Sequence, residues 1–407
     1  MSKRYSMTLY LTGATAARTG DEMSGPALLL VGLSVTGSAS AASALLSAIT
    51  VSAAVGGPVF GALLDRAARP GRLLAGALAV YCAALLVILL SLGRLPLPVV
   101  LATAVCGGLL GPALAGGWTS QLPWVAAQED LPRANALDAL TFNTASLAGP
   151  ALAGAVAMTA GASVSVVVSL ALIALALPAA WTLPMRAPAV RAEPSPSVVA
   201  DLVAGFAAIG RARPLARATL TSVVSYVGVG MLVTCTPLLG ERVLGSTGSG
   251  TFLLAALAAT SLLANALLAR RPGLLRPDAT ILGSVLALAL ALLLAATLSP
   301  LALFAAMAVA GAAEGPQLTA LFAVRHREAP DRLRGQIFTT GASLKITGFA
   351  IGAGLGGPVA TWSLSGSLLV AAGCEVLAAL SFVLLTVLPV RHSDAPSSHA
   401  SRARVQP

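Results

Sequence analysis

The chain has 407 residues, of which 57% are hydrophobic and only 10% charged, with a mean hydropathy of +0.88. A soluble protein carries roughly 25% charged residues to wet its surface, so a soluble globular protein is excluded and an integral membrane protein is indicated. The formal net charge of +10 does not point to nucleic acid, because the basic residues fall in short clusters between apolar runs, with no basic face and no interleaved aromatics.

A bilayer-spanning helix needs about 20 mostly apolar residues. In chain order, such segments are expected near 8–33, 39–64, 73–93, 97–126, 137–159 and 163–184, then near 216–240, 249–269, 279–298, 300–323, 335–360 and 366–389. The fold class is therefore all-α and membrane-integral, with about twelve transmembrane helices in two pseudo-symmetric six-helix bundles. The expected divisions are an N-terminal bundle at 1–184, a cytoplasmic central loop at 185–215, a C-terminal bundle at 216–390 and a disordered cytoplasmic tail at 391–407. Lys3 and Arg4 precede a polar stretch that does not read as a cleaved signal.

Basic residues accumulate on the cytoplasmic side of membrane proteins. With the N-terminus inside, the outside loops hold only Arg94 and Arg242, and Arg18 and Lys345 fall within helices, which leaves the other 21 of 25 Lys and Arg inside or at inner helix ends. Both termini are thus expected to be cytoplasmic. Cys82, Cys106, Cys235 and Cys374 each stand alone in an apolar run and show neither metal spacing nor a disulfide framework, so no metal and no cofactor is expected.

The chain repeats itself. Ala62-Leu63-Leu64-Asp65-Arg66 aligns with Ala266-Leu267-Leu268-Ala269-Arg270, an offset of 266 − 62 = 204, and the same offset carries Gly107, Gly111 and Pro112 onto Gly311, Gly315 and Pro316. Gly-Pro pairs at Gly57-Pro58, Gly111-Pro112, Gly149-Pro150, Gly315-Pro316 and Gly357-Pro358 place helix bends in both halves, since proline removes a main-chain hydrogen bond. Inverted or parallel repeats with interrupted helices are a mark of secondary transporters.

The two halves, with Gly61, Asp65, Arg66, Gly71 and Arg72 between the second and third spans, resemble the major facilitator superfamily, whose loop there reads Gly-x-x-x-Asp-Arg followed by glycine and basic residues. The interval from Arg66 to Gly71 is longer than the family pattern. The resemblance implies a conformational latch, in which Asp65 faces the start of the eleventh span near Gly335 and Gln336, and Arg66 and Arg72 help to hold the cytoplasmic side closed. Gly149, Pro150 and Gly154 in the fifth span look like the motif of drug/proton antiporter-type exporters of bacteria, whereas the fourth span, from Gly108 to Trp124, carries no charge.

A charge at mid-bilayer costs roughly 2.5–3.5 kcal/mol on insertion scales, so each one needs a reason. Arg18, Asp21 and Glu22 can share a face of the first span, and one acid is expected to pair with Arg18, leaving the other for a proton or a cationic substrate. If that span began only at Ser24, all three would lie at the surface. Glu314 stands alone in the tenth span. Lys345 and Glu375, in the eleventh and twelfth, are open to a transport role or to a structural ion pair. The substrate- and proton-binding candidates are Arg18, Asp21, Glu22, Glu314 and Lys345. Trp118, Gln121, Trp124, Phe142, Asn143, Tyr226, Gln317 and Phe322 are further candidates for lining a cavity.

The expected function is export of a small amphipathic or cationic molecule by proton antiport with alternating access. Proton-coupled uptake of a small nutrient remains the alternative. An enzyme is not expected, since His326, His392 and His399 all fall in segments read as cytoplasmic, and no Gly-x-x-x-x-Gly-Lys-Ser/Thr loop for ATP exists. The partners implied are the substrate, protons and the lipid bilayer, without nucleic acid. The setting implied is a bacterial plasma membrane, crossed many times by a monomer.

Overall fold

The computed structural model describes residues 3–184, 197–245 and 249–387, and every regular element among them is helical. The first half contains α1 (Lys3–Thr36), α2 (Ala39–Arg66), α3 (Pro70–Ser91), α4 (Leu97–Gly108), α5 (Leu122–Val125), α6 (Leu131–Ala160), α7 (Ala162–Leu175) and α8 (Leu177–Trp181). A further helix, α9 (Val198–Arg211), precedes the second half. That half consists of α10 (Arg213–Leu244), α11 (Gly250–Arg270), α12 (Pro277–Ala296), α13 (Pro300–Glu328), α14 (Arg334–Trp362) and α15 (Leu364–Val387).

Nine spans are long and apolar enough to cross a bilayer by composition alone among the described residues. The long helices α1, α6 and α14 complete the twelve. They are less apolar, carrying Arg18, Asp21 and Glu22, or Arg133 and Asp138, or Arg334, Gln336 and Lys345 among many small and polar residues. α1 is continuous from Lys3, so Arg18, Asp21 and Glu22 sit mid-helix and no helix start falls at Ser24.

Shifting each span of the first half by 204 residues lays it on its counterpart in the second: α1 on α10, α2 on α11, α3 on α12, α4 with the following turns on α13, α6 on α14, and α7 with α8 on α15. One difference is local. Gly111-Pro112 interrupts the fourth span, which continues as a π-helical turn, Ala113–Gly117, whereas Pro316 lies inside an unbroken α13. Several sequence-based boundaries move, three of them with consequences for the site and its surroundings. α6 begins at Leu131 rather than 137, α13 runs on to Glu328 rather than 323, and the central stretch holds the helix α9 instead of an unbroken loop. Residues 185–196 of that stretch, with Arg186 and Arg191, and the tail with Arg391, His392 and His399 lie outside the described residues.

Lipid tails give helices no hydrophobic reason to associate, so small residues and interhelical hydrogen bonds hold the bundle. Ser169 Oγ donates to the Gly20 carbonyl at 2.6 Å, and Ser165 Oγ to the Ala153 carbonyl at 3.1 Å. The halves meet chiefly at the end that carries Asp65. There α2 lies on α14, and the π turn lies on α14 through Gly116 against Phe338. α6 lies on α11 through Ala136 against Leu268 and Ala269.

Candidate functional site

The first half of the site is built on α1 and α6. Arg18 is 2% exposed and Asp138 0%. Arg18 Nη1 donates to Asp138 Oδ1 at 2.8 Å and to the Thr141 hydroxyl, and Nη2 donates to Thr119 Oγ1 at 2.9 Å. Asp138 also accepts from Tyr10 Oη at 2.9 Å and from Thr119 Oγ1 at 2.8 Å. The Phe142 ring lies 3.7 Å from the guanidinium carbon. A buried ion pair offsets its desolvation only when further hydrogen bonds satisfy both partners, and this one has them. The expected pairing of Arg18 with Asp21 or Glu22 is therefore corrected. α6 begins at Leu131 rather than 137, so Asp138 lies two turns inside the helix, where it meets Arg18.

The pairing of Arg18 with Asp138 frees the two acids of α1. Asp21 turns to α3, where Tyr81 Oη donates to its Oδ1 at 2.9 Å. Glu22 is exposed and reaches the electrostatic neighbourhood of Tyr226 on α10. It faces the second half. α6 crosses α1 closely there, since a Cβ at Gly149 would meet Glu22 Cβ at 2.6 Å. Pro150 is exposed and Gly154 has no such neighbour within 4 Å, so of the three motif residues only Gly149 makes a close approach.

In the second half, Tyr226 Oη donates to Glu314 Oε1 at 2.7 Å, and Lys345 Nζ lies 3.7 Å from the centroid of the Tyr226 ring. Glu314, Tyr226 and Lys345 thus form one group from α13, α10 and α14. Glu375 is 0% exposed and accepts from Ser225 Oγ at 3.0 Å, so the ion pair of Lys345 with Glu375 is not formed. Of the aromatic and amide candidates, Trp118 is fully buried against Tyr10, with ring centroids 6.0 Å apart, and Gln121 is 1% exposed against Ser120. Phe142 packs at a tilt against Phe322, centroids 5.6 Å apart, and Phe322 against Phe338 at 6.0 Å, filling the space between the halves with rings.

At the Asp65 end, the main-chain N–H of Gly335 donates to Asp65 Oδ1 at 2.8 Å, and that of Gln336 to Oδ2 at 2.8 Å. The first turn of a helix has N–H groups without internal partners and partial positive charge, which a carboxylate satisfies. Gly61 permits the approach, since a Cβ there would meet Thr339 Oγ1 and the Gln336 main chain. Arg66 does not bind α14. It pairs with Asp201 of α9, and Gln336 Nε2 donates to the Leu202 carbonyl at 3.0 Å. Arg72 is also placed elsewhere, with its guanidinium carbon 5.1 Å from the Trp181 ring centroid, because Gly71 seats α3 against the end of α8. Among the described residues no group of His, Cys, Asp and Glu could hold a metal ion.

Residues 10–339 match the family model described as Major Facilitator Superfamily. The chain belongs to that superfamily. No curated protein matches the sequence. Solved structures share the fold at low identity. The human organic anion transporter has 16% identity, covering 94% of this chain and 100% of that one, with a TM-score of 0.75. A bacterial homologue of the iron transporter ferroportin in an outward-facing state has 16% identity over 94% and 99%, with a TM-score of 0.76. The fucose:proton symporter of E. coli has 13% identity over 95% and 99%, with a TM-score of 0.72. Superfamily membership makes the chain a transporter by class rather than an enzyme. Sequence reasoning missed Asp138 as the partner of Arg18 and Asp201 as the partner of Arg66. Asp138 lies within the span read from 137 but is not among the charges weighed there, and Asp201 falls in a stretch read as a loop.

Proposed function

We propose that the chain is a secondary active exporter that exchanges a small amphipathic or cationic molecule for protons. The observation that carries this reading is the fate of the charges at mid-chain depth. Asp138 occupies Arg18, whereas Glu22 stands exposed toward the second half with no basic side chain bound to it among the described residues. An exposed carboxylate facing the gap between the halves attracts a cation and can exchange it for a proton. The Lys345–Tyr226–Glu314 group supplies a second acid on the opposite wall.

The asymmetry of basic residues supports a topology with the Asp65 end and both termini in the cytoplasm, here read as that of a bacterial cell. The Asp65 contact with Gly335 and Gln336 then acts as the latch, and the conformation described is one closed to the cytoplasm. The chain works as a monomer, each half rocking against the other. The test is extrusion of ethidium from energised cells by wild type, Glu22→Gln, Asp21→Asn and Glu314→Gln at matched expression. Extrusion driven by the proton gradient and lost in Glu22→Gln supports the reading. Accumulation instead of extrusion would favour uptake, and equal extrusion in every variant removes the acids from the mechanism.

A further inference from the structure

A notch of about 310 Å³ opens at the Asp65 end between the start of α3 and the end of α8, lined by Arg69, Gly71, Arg72, Trp181 and Leu183. Pro70 begins one membrane span and Trp181 ends another, so the notch lies at the boundary of the bilayer. Trp181 is 57% exposed there, in the position where amphipathic rings anchor at headgroup level. Arg69 and Arg72 are both exposed, and neither has an ion-pair partner among the described residues. The acids of the neighbourhood are engaged, Asp65 by α14 and Asp201 by Arg66. Gly71 sets the depth of the notch, because a Cβ at that position would meet the Ala180 carbonyl and Leu183 Cβ. Away from the notch, along α3 and α7, the outward side chains are apolar, with Val80, Val87 and Leu175 exposed.

We propose that this notch binds the phosphodiester headgroup of an anionic phospholipid, with its acyl chains lying on the outer faces of α3 and α7. Two arginines line one concave site, and no acid pairs with either among the described residues. A phosphodiester suits them, since guanidinium forks match phosphate oxygens. A zwitterionic headgroup brings its own ammonium and leaves the pair of charges in place, whereas phosphatidylglycerol neutralises one of them. The exposed indole closes one side of the notch at the depth of the glycerol backbone. The site is independent of what the protein transports.

The test is native mass spectrometry of the intact purified protein in mixed micelles containing phosphatidylglycerol and phosphatidylcholine, with water-soluble glycerol phosphate as competitor. Wild type is expected to retain phosphatidylglycerol preferentially. The Arg69→Gln/Arg72→Gln variant is expected to lose about 10- to 30-fold of that preference, the factor of two basic side chains at a membrane surface. Arg94→Gln, at the opposite end of the bundle, is expected to keep it. An undiminished preference in the double variant would overturn the proposal. So would an equal loss in Arg94→Gln, which would assign the effect to overall charge. Displacement of the lipid by equimolar glycerol phosphate would assign the site to a free phosphate and overturn the lipid.

Discussion

Arg18 and Asp138 lie 120 positions apart in the chain and meet at 2.8 Å, with side chains only 3% and 0% exposed. Tyr10, Thr119 and Thr141 complete their hydrogen bonds, so the pair is a sealed strut between α1, α6 and the turns of the fourth span. Removing one partner leaves a buried charge alone, which costs about 3–5 kcal/mol. Asp138→Asn and Arg18→Met are each expected to lower the melting temperature of the purified protein sharply, while Arg18→Met/Asp138→Leu recovers most of the loss. A double variant as unstable as the sum of the singles would show that the pair does not act as a unit.

Asp65 caps the first turn of α14 from another helix. Asp65→Asn keeps an acceptor but removes the charge that complements that helix end, a change of about 0.5–2 kcal/mol. The expected outcome is a several-fold faster reaction of a maleimide with Thr339→Cys in a cysteine-free background, since Thr339 is 0% exposed in the conformation described. Unchanged reactivity would mean that closure does not depend on this contact.

Glycines at the same interface set how near α2 and α14 can come. A Cβ at Gly57 would meet Ser343 Oγ and the Thr339 carbonyl, and Ser343 Oγ itself donates to the Ala53 carbonyl at 2.6 Å. Gly57→Val is expected to force the two helices apart and expose the Thr339→Cys thiol even with Asp65 intact. Gly154→Ala, where nothing lies within 4 Å, is expected to leave reactivity and stability as they are.

Tyr226 links the charges of the second half. Tyr226→Phe keeps the ring beneath Lys345 but removes the hydroxyl that donates to Glu314. Loss of a hydrogen bond to a charged group costs about 1.5–3 kcal/mol. Transport measured in proteoliposomes is expected to fall about tenfold or more, with less effect on melting temperature than Asp138→Asn. A variant that transports normally would separate Glu314 from the transport path.

Arg66 and Asp201 form a partly exposed pair, with side chains 28% and 15% exposed. Such pairs contribute only about 0.2–1 kcal/mol. Arg66→Gln, Asp201→Asn and the double variant are therefore expected to differ little in melting temperature, with a small coupling in the double-mutant cycle. A coupling several times larger would make α9 a principal part of the closed end.

The twelve-span frame was legible because spans of apolar residues and the placement of arginines are set by the bilayer itself, and the offset between the halves is visible in strings such as Ala62–Arg66. The neighbourhood of Asp65 was legible only through the family resemblance carried by Gly61, Asp65 and Arg66, since Gly335 and Gln336 lie some 270 positions away in the chain. The partner of Arg18 was not. Three and four residues separate it from Asp21 and Glu22 on one helix face, so local spacing favoured them, whereas Asp138 reaches it only through the crossing of α1 and α6. The same holds for Lys345, whose neighbour Tyr226 comes from another helix, and for Arg66, whose partner lies in a helix where a loop was expected. Side-chain pairing across helices depends on rotation and depth, which apolar run lengths do not encode.

The offset of 204 that superposes the helices also compares their chemistry. It lays Glu22 on Tyr226, Thr141 on Lys345, Arg18 on Ser222 and Glu314 on Leu110. No charged residue of the site falls on another charged residue. The frame is duplicated, but the work is divided. One half keeps its cation locked in a sealed strut and presents a bare acid, while the other ties its acid to a tyrosine and leaves a lysine lying on the ring. A substrate held between them would touch two different surfaces, so exchanging the roles of the halves during the transport cycle returns the same shape without returning the same site.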